Sequence, residues 1–391
     1  MNVLRKIGEL TIAHLIHDIY APVLMALQPV LITMYGYGYF EAALLPVVHS
    51  ITSSLLQPVF GYLADNKGMK VGVGISILLS GVGISVLGLI PNHYLMMLLC
   101  VTLSGIGHAS FHPGALCQVS IFATGSSRGK LTSFFVVGGN MGMALGPIIA
   151  GIILTTGGVP QVIWLIIPAI ATALYLHLHP FADCCNIKQE KVSGEKENWG
   201  PVILLFSGST LRSWVTFGAM TFLPTYLVLE GYSLLEATTL VSVMLVSGVA
   251  GQVAGGILSD RIGRKKVIVL TTFASIPAFI AILLTHEILL IISMIVFGFL
   301  LWSSFSVTIA MSHEMIPSQI GLVSGLFLGI AMGAGALGVS ISGAVADMAG
   351  LYTSLGTFPI IIAVSVILFM LVKTPESSPS PASPTTGTKQ N

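Results

Sequence analysis

Charge is what this sequence has least of. Only 8% of its 391 residues are Asp, Glu, Lys or Arg, against roughly 25% in soluble globular chains. That scarcity excludes an ordinary soluble domain, and the net charge of +1 offers no basic surface to a nucleic acid. Cysteine is equally sparse. Cys100 and Cys117 fall in apolar runs and Cys184 and Cys185 in a polar loop, so neither a disulfide framework nor a zinc knuckle is expected, and the loop pair reads as two reduced thiols. No GxxxxGK[ST] phosphate loop is present, which argues against an ATP-driven machine. The opening MNVLRKIGEL lacks a small-residue cleavage site, so the first apolar run is read as a retained helix. No nucleophile–base arrangement stands out, and no feature calls for a cofactor. An enzyme is therefore not expected.

What is abundant is apolar. Hydrophobic residues make up 54% of the chain and the mean hydropathy is +0.94. Apolar runs of roughly 20 residues recur, each long enough to cross a hydrocarbon core of about 30 Å as a helix. Helices satisfy their own backbone groups in lipid, and 43 glycines suit close helix contacts. The pattern predicts an all-α integral membrane protein with twelve spans, at 10–34, 41–63, 71–90, 94–120, 131–154, 160–180, 200–229, 235–258, 267–285, 287–311, 319–345 and 352–373. Residues 1–180 form one six-helix bundle, 181–199 a linker, 200–373 a second bundle, and the Pro/Ser/Thr-rich 374–391 a disordered tail. All basic residues except Arg212 fall in the termini or the even-numbered loops. That asymmetry predicts cytoplasmic termini and a cytoplasmic linker in the inner membrane. The chain is read as a monomer.

The halves repeat. GYLADNKGMK from Gly61 to Lys70 follows the second span, and GILSDRIGRKK from Gly256 to Lys266 follows the eighth. These segments resemble the cytoplasmic loop signature of the major facilitator superfamily. The second copy keeps Asp260, Arg261, Gly263, Arg264 and Lys265, while the first keeps Gly61 and Asp65 but has Asn66 and Met69 in place of basic residues. The resemblance implies a gate latch at these positions. Longer segments, among them SFHPG (Ser110–Gly114), VVGGNMGMALGP (Val136–Pro147) and LRSWVTFGAMTFLPTYLV (Leu211–Val228), resemble the fosmidomycin-resistance branch. That likeness implies a proton-coupled exporter of small molecules, fosmidomycin being an anionic phosphonate. The chain departs from this branch at His17, where the family commonly has Asn, and at Gly114, where it often has an acidic residue.

Asp18 is the one carboxylate expected deep in a span, beside His14 and His17 on the same helix face. It can load and release protons if burial brings its pKa into range, with the histidines sharing the proton. The alternative is a structural carboxylate, capped or paired to an arginine. Arg212 stays charged and needs a partner. It can bind an anionic substrate, pair with Asp18, or snorkel to the surface. His49, Gln57, His108, His112, Asn140 and Trp214 are further lining candidates, the tryptophan equally an interfacial anchor. Gly142, Gly146, Pro147 and Gly151 in span five resemble an antiporter signature and give a flat face for helix packing. Spacing His108 and His112 at i, i+4 also suits a metal pair, and a metal-ion or metal-chelate transporter using the His/Asp cluster is the rival reading. The expectation adopted is a proton-coupled antiporter of a small organic compound, without a metal.

Overall fold

The computed structural model of the chain describes residues 3–67, 71–122, 128–181 and 198–373; for 64–67, 128–130 and 320–321 it describes the backbone only. The linker loop with Cys184 and Cys185, and the tail from 374, lie outside the described residues. Cys100 is a free thiol, whereas Cys117 is disulfide-bonded, a departure from the expectation of no disulfide framework.

The described chain is all helix. It runs through α1 (Val3–Asp18), α2 (Tyr20–Tyr35), α3 (Tyr39–Lys67), α4 (Val73–Ser85), α5 (Tyr94–Phe122), α6 (Arg128–Gly157) and α7 (Ile166–Leu178) in the first half. The second half comprises α8 (Trp199–Leu229), α9 (Leu234–Ile262), α10 (Arg264–Leu284), α11 (Glu287–Met315), α12 (Ile320–Ser324), α13 (Ala331–Ala349), α14 (Leu351–Gly356) and α15 (Phe358–Leu371). A π-helical stretch, Gly325–Ile330, joins α12 to α13. Among the described residues eleven stretches are long and apolar enough to cross a membrane, and the shorter Val73–Leu89 occupies the place of the expected third span. The outside of the bundle is greasy. Helix α7 exposes Ile167, Ile170, Leu174 and Leu178 while burying Ala169 and Leu176, the pattern of a helix with its apolar face toward lipid.

Each half has its own core. One cluster runs from Ile7 to Leu176. Another, centred on Phe222, Phe279, Phe297 and Phe358 of the second half, reaches into the first through Met25, Ala43, Val47 and Ala144. Those four lie away from the end that carries the basic residues. The halves therefore meet at the far end. Asp347 at the end of α13 accepts from the Tyr39 and Phe40 amides of α3 at 2.7 and 2.9 Å. Ile148 N–H, next to the ladder-breaking Pro147, donates to Ser242 Oγ of α9 at 3.1 Å. Gly151 lies against Thr238. At the basic end, Gly61, Gly256 and Gly325 have open space where a side chain would begin.

Within the first half, α6 lies almost backbone to backbone on α1. A Cβ at Gly142 would collide with the Leu15 carbonyl, and one at Gly146 would press on Ile19 and Pro22. Gly142→Ala should therefore lower the thermal midpoint of the detergent-purified protein, by the equivalent of about 1–3 kcal/mol of overpacking. Gly256→Ala should leave it unchanged, since an added Cβ there meets nothing within 4 Å. Equal midpoints for the two variants would refute this close approach.

Candidate functional site

The site begins where the first span breaks. Proline at position 22 has no N–H to give the Asp18 carbonyl four residues back, and its ring crowds that carbonyl. The helix is interrupted there, α1 ending at Asp18 and α2 starting at Tyr20. Asp18 thus stands at an interrupted helix end, beneath a close approach of α6. Gly139 makes that approach possible, because a Cβ there would occupy the space of the His14 ring and the Asp18 carboxylate.

His14 is held at both ring nitrogens. Nδ1 lies 2.9 Å from the Phe135 carbonyl, and Nε2 lies 3.1 Å from Asp18 Oδ2. A carbonyl only accepts, so Nδ1 carries a hydrogen. The contact between Nε2 and the carboxyl then needs a second one. Either an imidazolium donates to a carboxylate, or a carboxylic acid donates to a neutral imidazole. In both cases the pair holds one proton beyond the neutral imidazole and the bare carboxylate. The alternative of an arginine partner for Asp18 is not realised among the described residues; a histidine four residues away pairs with it.

Around this pair the structure gathers the other histidines. His17 is fully buried, its ring stacked on Phe111 with centroids 4.0 Å apart and on His108 at 4.9 Å. His108 and His112 turn their Nε2 atoms toward each other at 3.2 Å, and the His49 ring lies 5.4 Å from that of His108. Five of the ten histidines thus meet Asp18 in one place. Three separate helices supply them, α1, α3 and α5.

His14, Asp18, His49, His108 and His112 form one wall of a cavity of about 310 Å³ that also touches Gln57 and Asn140. Arg212 of α8 lies on the opposite half. It is buried rather than snorkelling. Its Nη1 donates to Ser304 Oγ at 2.8 Å and Thr308 Oγ1 at 3.3 Å, and the guanidinium lies 5.5 Å from the Phe305 ring centre. Among the described residues no carboxylate pairs with it, so the expected alternative of an Asp18–Arg212 pair is not realised. The arrangement leaves a fixed cation at the cavity with neutral hydroxyls as its hydrogen-bond partners.

Two expectations need correction. Trp214 does not line the cavity; its indole packs on Gly338 and donates to Ser342 Oγ at 2.9 Å, fixing α8 to α13. His17 lies behind the wall rather than on it. Gly114, the departure after SFHP, faces the Val71 backbone and not the cavity. Other lining residues escaped notice in the sequence. Gln252 of α9 accepts from Asn140 Nδ2 at 3.2 Å, a polar contact between the halves. A lone amide inside the apolar SGVAGQVAGG was the available signal. Ser304 and Thr308 gave none, since hydroxyls bonded back to their own helix are common in apolar spans.

The second loop signature is internally braced. Gly263 makes the turn between α9 and α10 at φ 97°, a left-handed backbone that favours glycine. Arg264 bonds Asp260 at 2.5 Å and Glu314 at 3.0 Å, and Lys265 donates to the Met370 carbonyl at 2.7 Å. All these partners belong to the second half. Arg261 is exposed, and the Asp65 side chain lies outside the described residues.

Comparison with known proteins agrees with this architecture. A family model described as the Major Facilitator Superfamily matches residues 10–327 and 205–390. The fosmidomycin resistance protein of Escherichia coli (strain K12) is 30% identical over 366 residues, covering 87% of this chain and 86% of its own. The MFS-type transporter YfnC of Bacillus subtilis (strain 168) is 29% identical over 373 residues, covering 92% and 91%. A solved bacterial homologue of the human lysosomal transporter Spinster superposes with a TM-score of 0.80, covering 94% of this chain and 96% of its own at 16% identity, a likeness of fold. The chain belongs to the Major Facilitator Superfamily and is a transporter related to its fosmidomycin-resistance proteins.

Proposed function

We propose that the protein exports a small anionic organic compound in exchange for protons by alternating access. The observation that carries this reading is the bonded His14–Asp18 pair on the wall of a cavity whose other half presents Arg212. A site that holds a proton in one helix bundle and a fixed cation in the other has the elements of an antiporter. The anion binds Arg212, and the proton leaves or enters through Asp18. The kinship to a fosmidomycin resistance protein supports an anionic cargo and outward transport.

In this reading the basic end is cytoplasmic, since basic residues are retained on that side. The cavity, closed at the far end by Asp347 and the α6–α9 contacts, then faces the cytoplasm, where an exporter loads. The two six-helix bundles rock about the site. Asp260, Arg261, Gly263, Arg264 and Lys265, with Gly61, Asp65 and Gly256, form the gate at the cytoplasmic end, and one copy of the chain suffices. A fluorescent protein fused to the C-terminus should therefore fluoresce in cells, and an alkaline phosphatase fused there should be inactive. The opposite pair of results would invert the orientation.

Asp18→Asn keeps the volume and can still donate to His14 Nε2, but it cannot release the proton. In proteoliposomes with an imposed pH gradient, the variant should lose uphill export while counterflow exchange of labelled substrate persists. Full gradient-driven export by a correctly inserted Asp18→Asn protein would remove Asp18 from the coupling step.

Arg212→Gln tests the anion site separately. Removing charge-assisted hydrogen bonds costs about 1.5–3 kcal/mol, so KM for fosmidomycin as the probe anion should rise roughly ten- to hundredfold. The dependence of transport on the pH gradient should survive. An unchanged KM would mean that the anion binds elsewhere.

A further inference from the structure

The histidine cluster contains more nitrogen than the proton pair uses. His17 has both ring nitrogens buried without a hydrogen-bond partner, and Asp18 Oδ1 and His49 Nε2 are unpartnered as well. Leaving a buried polar atom unpaired costs about 1–3 kcal/mol, so several orphans in one place mark a space built for something that binds lone pairs. Helix packing does not account for them. A stacked aromatic would pack His17 between Phe111 and His108 equally well without the polar atoms.

The spacing of the donors identifies what would satisfy them. One ligand atom from each of His17, Asp18, His108 and His112 lies within 4.8 Å of the others. Zinc–nitrogen bonds of roughly 2.0–2.1 Å in a tetrahedron place neighbouring donors about 3.3 Å apart. The His108 and His112 Nε2 atoms are already 3.2 Å apart. His17 and Asp18 sit at the broken end of α1, where the interruption above Pro22 frees them from a continuous helix. The donors lie within 4.8 Å of one another, so a tetrahedral site requires the widest pair to close by about 1.5 Å. Of the two facing imidazoles, the one that donates shifts its hydrogen to Nδ1 when a cation takes both Nε2 lone pairs.

We propose that His17, Asp18, His108 and His112 form a binding site for a divalent transition metal of the zinc type. Three imidazoles and one carboxylate suit zinc, cobalt or nickel; magnesium and calcium require more oxygen donors than the site supplies. The site does not depend on the export reading. If that reading also holds, a cation on this wall and Arg212 on the other can both contact one anionic compound, and the cargo class includes metal complexes.

The test uses the full chain in detergent, its purification tag removed, in a His177→Gln/His179→Gln background that eliminates an exposed histidine pair. Cobalt(II) is the probe. One equivalent should bind per chain with the intense visible bands of tetrahedral coordination, and zinc should displace it. His112→Ala and His17→Asn should each weaken cobalt binding at least tenfold, while His93→Gln should not change it. Zinc should raise the thermal midpoint of the parent protein and not of His112→Ala, which separates a lost ligand from a lost fold. Absence of cobalt binding in the folded parent, or binding undiminished in a His108→Ala/His112→Ala variant, overturns the site. Gradient-driven fosmidomycin export measured on the same preparations keeps the two proposals apart, because export without metal binding removes only the metal site.

Discussion

The bond between His14 and Asp18 is the constraint around which the first bundle is arranged. A lone carboxylate in an apolar bundle is far too costly to remain ionised without partners. Here the partner is a histidine on the same helix face, held in turn by the Phe135 carbonyl of α6. That carbonyl comes within reach because α6 carries Gly138, Gly139 and Gly142 where it crosses α1. The same closeness leaves no space for a larger residue, so the run of glycines and the acid–imidazole pair form one structural unit. Pro22 completes it by ending α1 at the carboxylate.

The two halves contribute different kinds of charge. The first supplies groups that change protonation: Asp18 and a ring of imidazoles. The second supplies a guanidinium that remains charged throughout the physiological range. If the halves rock, the distance and the dielectric between a variable charge and a constant one change together. Coulomb energy scales with both, so such movement ties protonation to anion affinity without direct contact between the groups. An Asp18–Arg212 ion pair would have cancelled the two charges within the cavity.

Much of this architecture was legible in the sequence because membranes impose simple rules. Run length marked the spans, and the single short one, Val73–Leu89, still occupied its place. The i, i+4 spacings put His14 with Asp18 and His108 with His112, and both contacts are present. What spacing could not convey is which helices face each other. Nothing local to HLIHDIY or HASFH says that these two segments meet, and their meeting turns two weak motifs into one cluster. Trp214 failed for the same reason, since an indole at a helix contact and one on a cavity wall look alike until α13 is placed beside α8. Gly139 carries no signal of its own within the glycine signature, yet among the described glycines it is the one where a Cβ would meet both His14 and Asp18.

The closed end combines polar caps with apolar packing. Its polar contacts are the Asp347 carboxylate on two amides at the start of α3 and one hydroxyl on the amide after Pro147. Capping interactions of this kind contribute about 0.5–2 kcal/mol each, and the exposed amides regain water when the contact opens. Beside them small surfaces meet, Gly151 with Thr238 and Gly343 with Phe40, and Met25, Ala43, Val47 and Ala144 join the apolar cluster of the second half. The closed end is therefore held by buried apolar area as well as by polar caps. Arg264, by contrast, bonds Asp260 and Glu314 within the second half, so these contacts do not tie the two halves together. Under the export reading the halves must part at this end, and its polar caps are the share of the closure that water can replace.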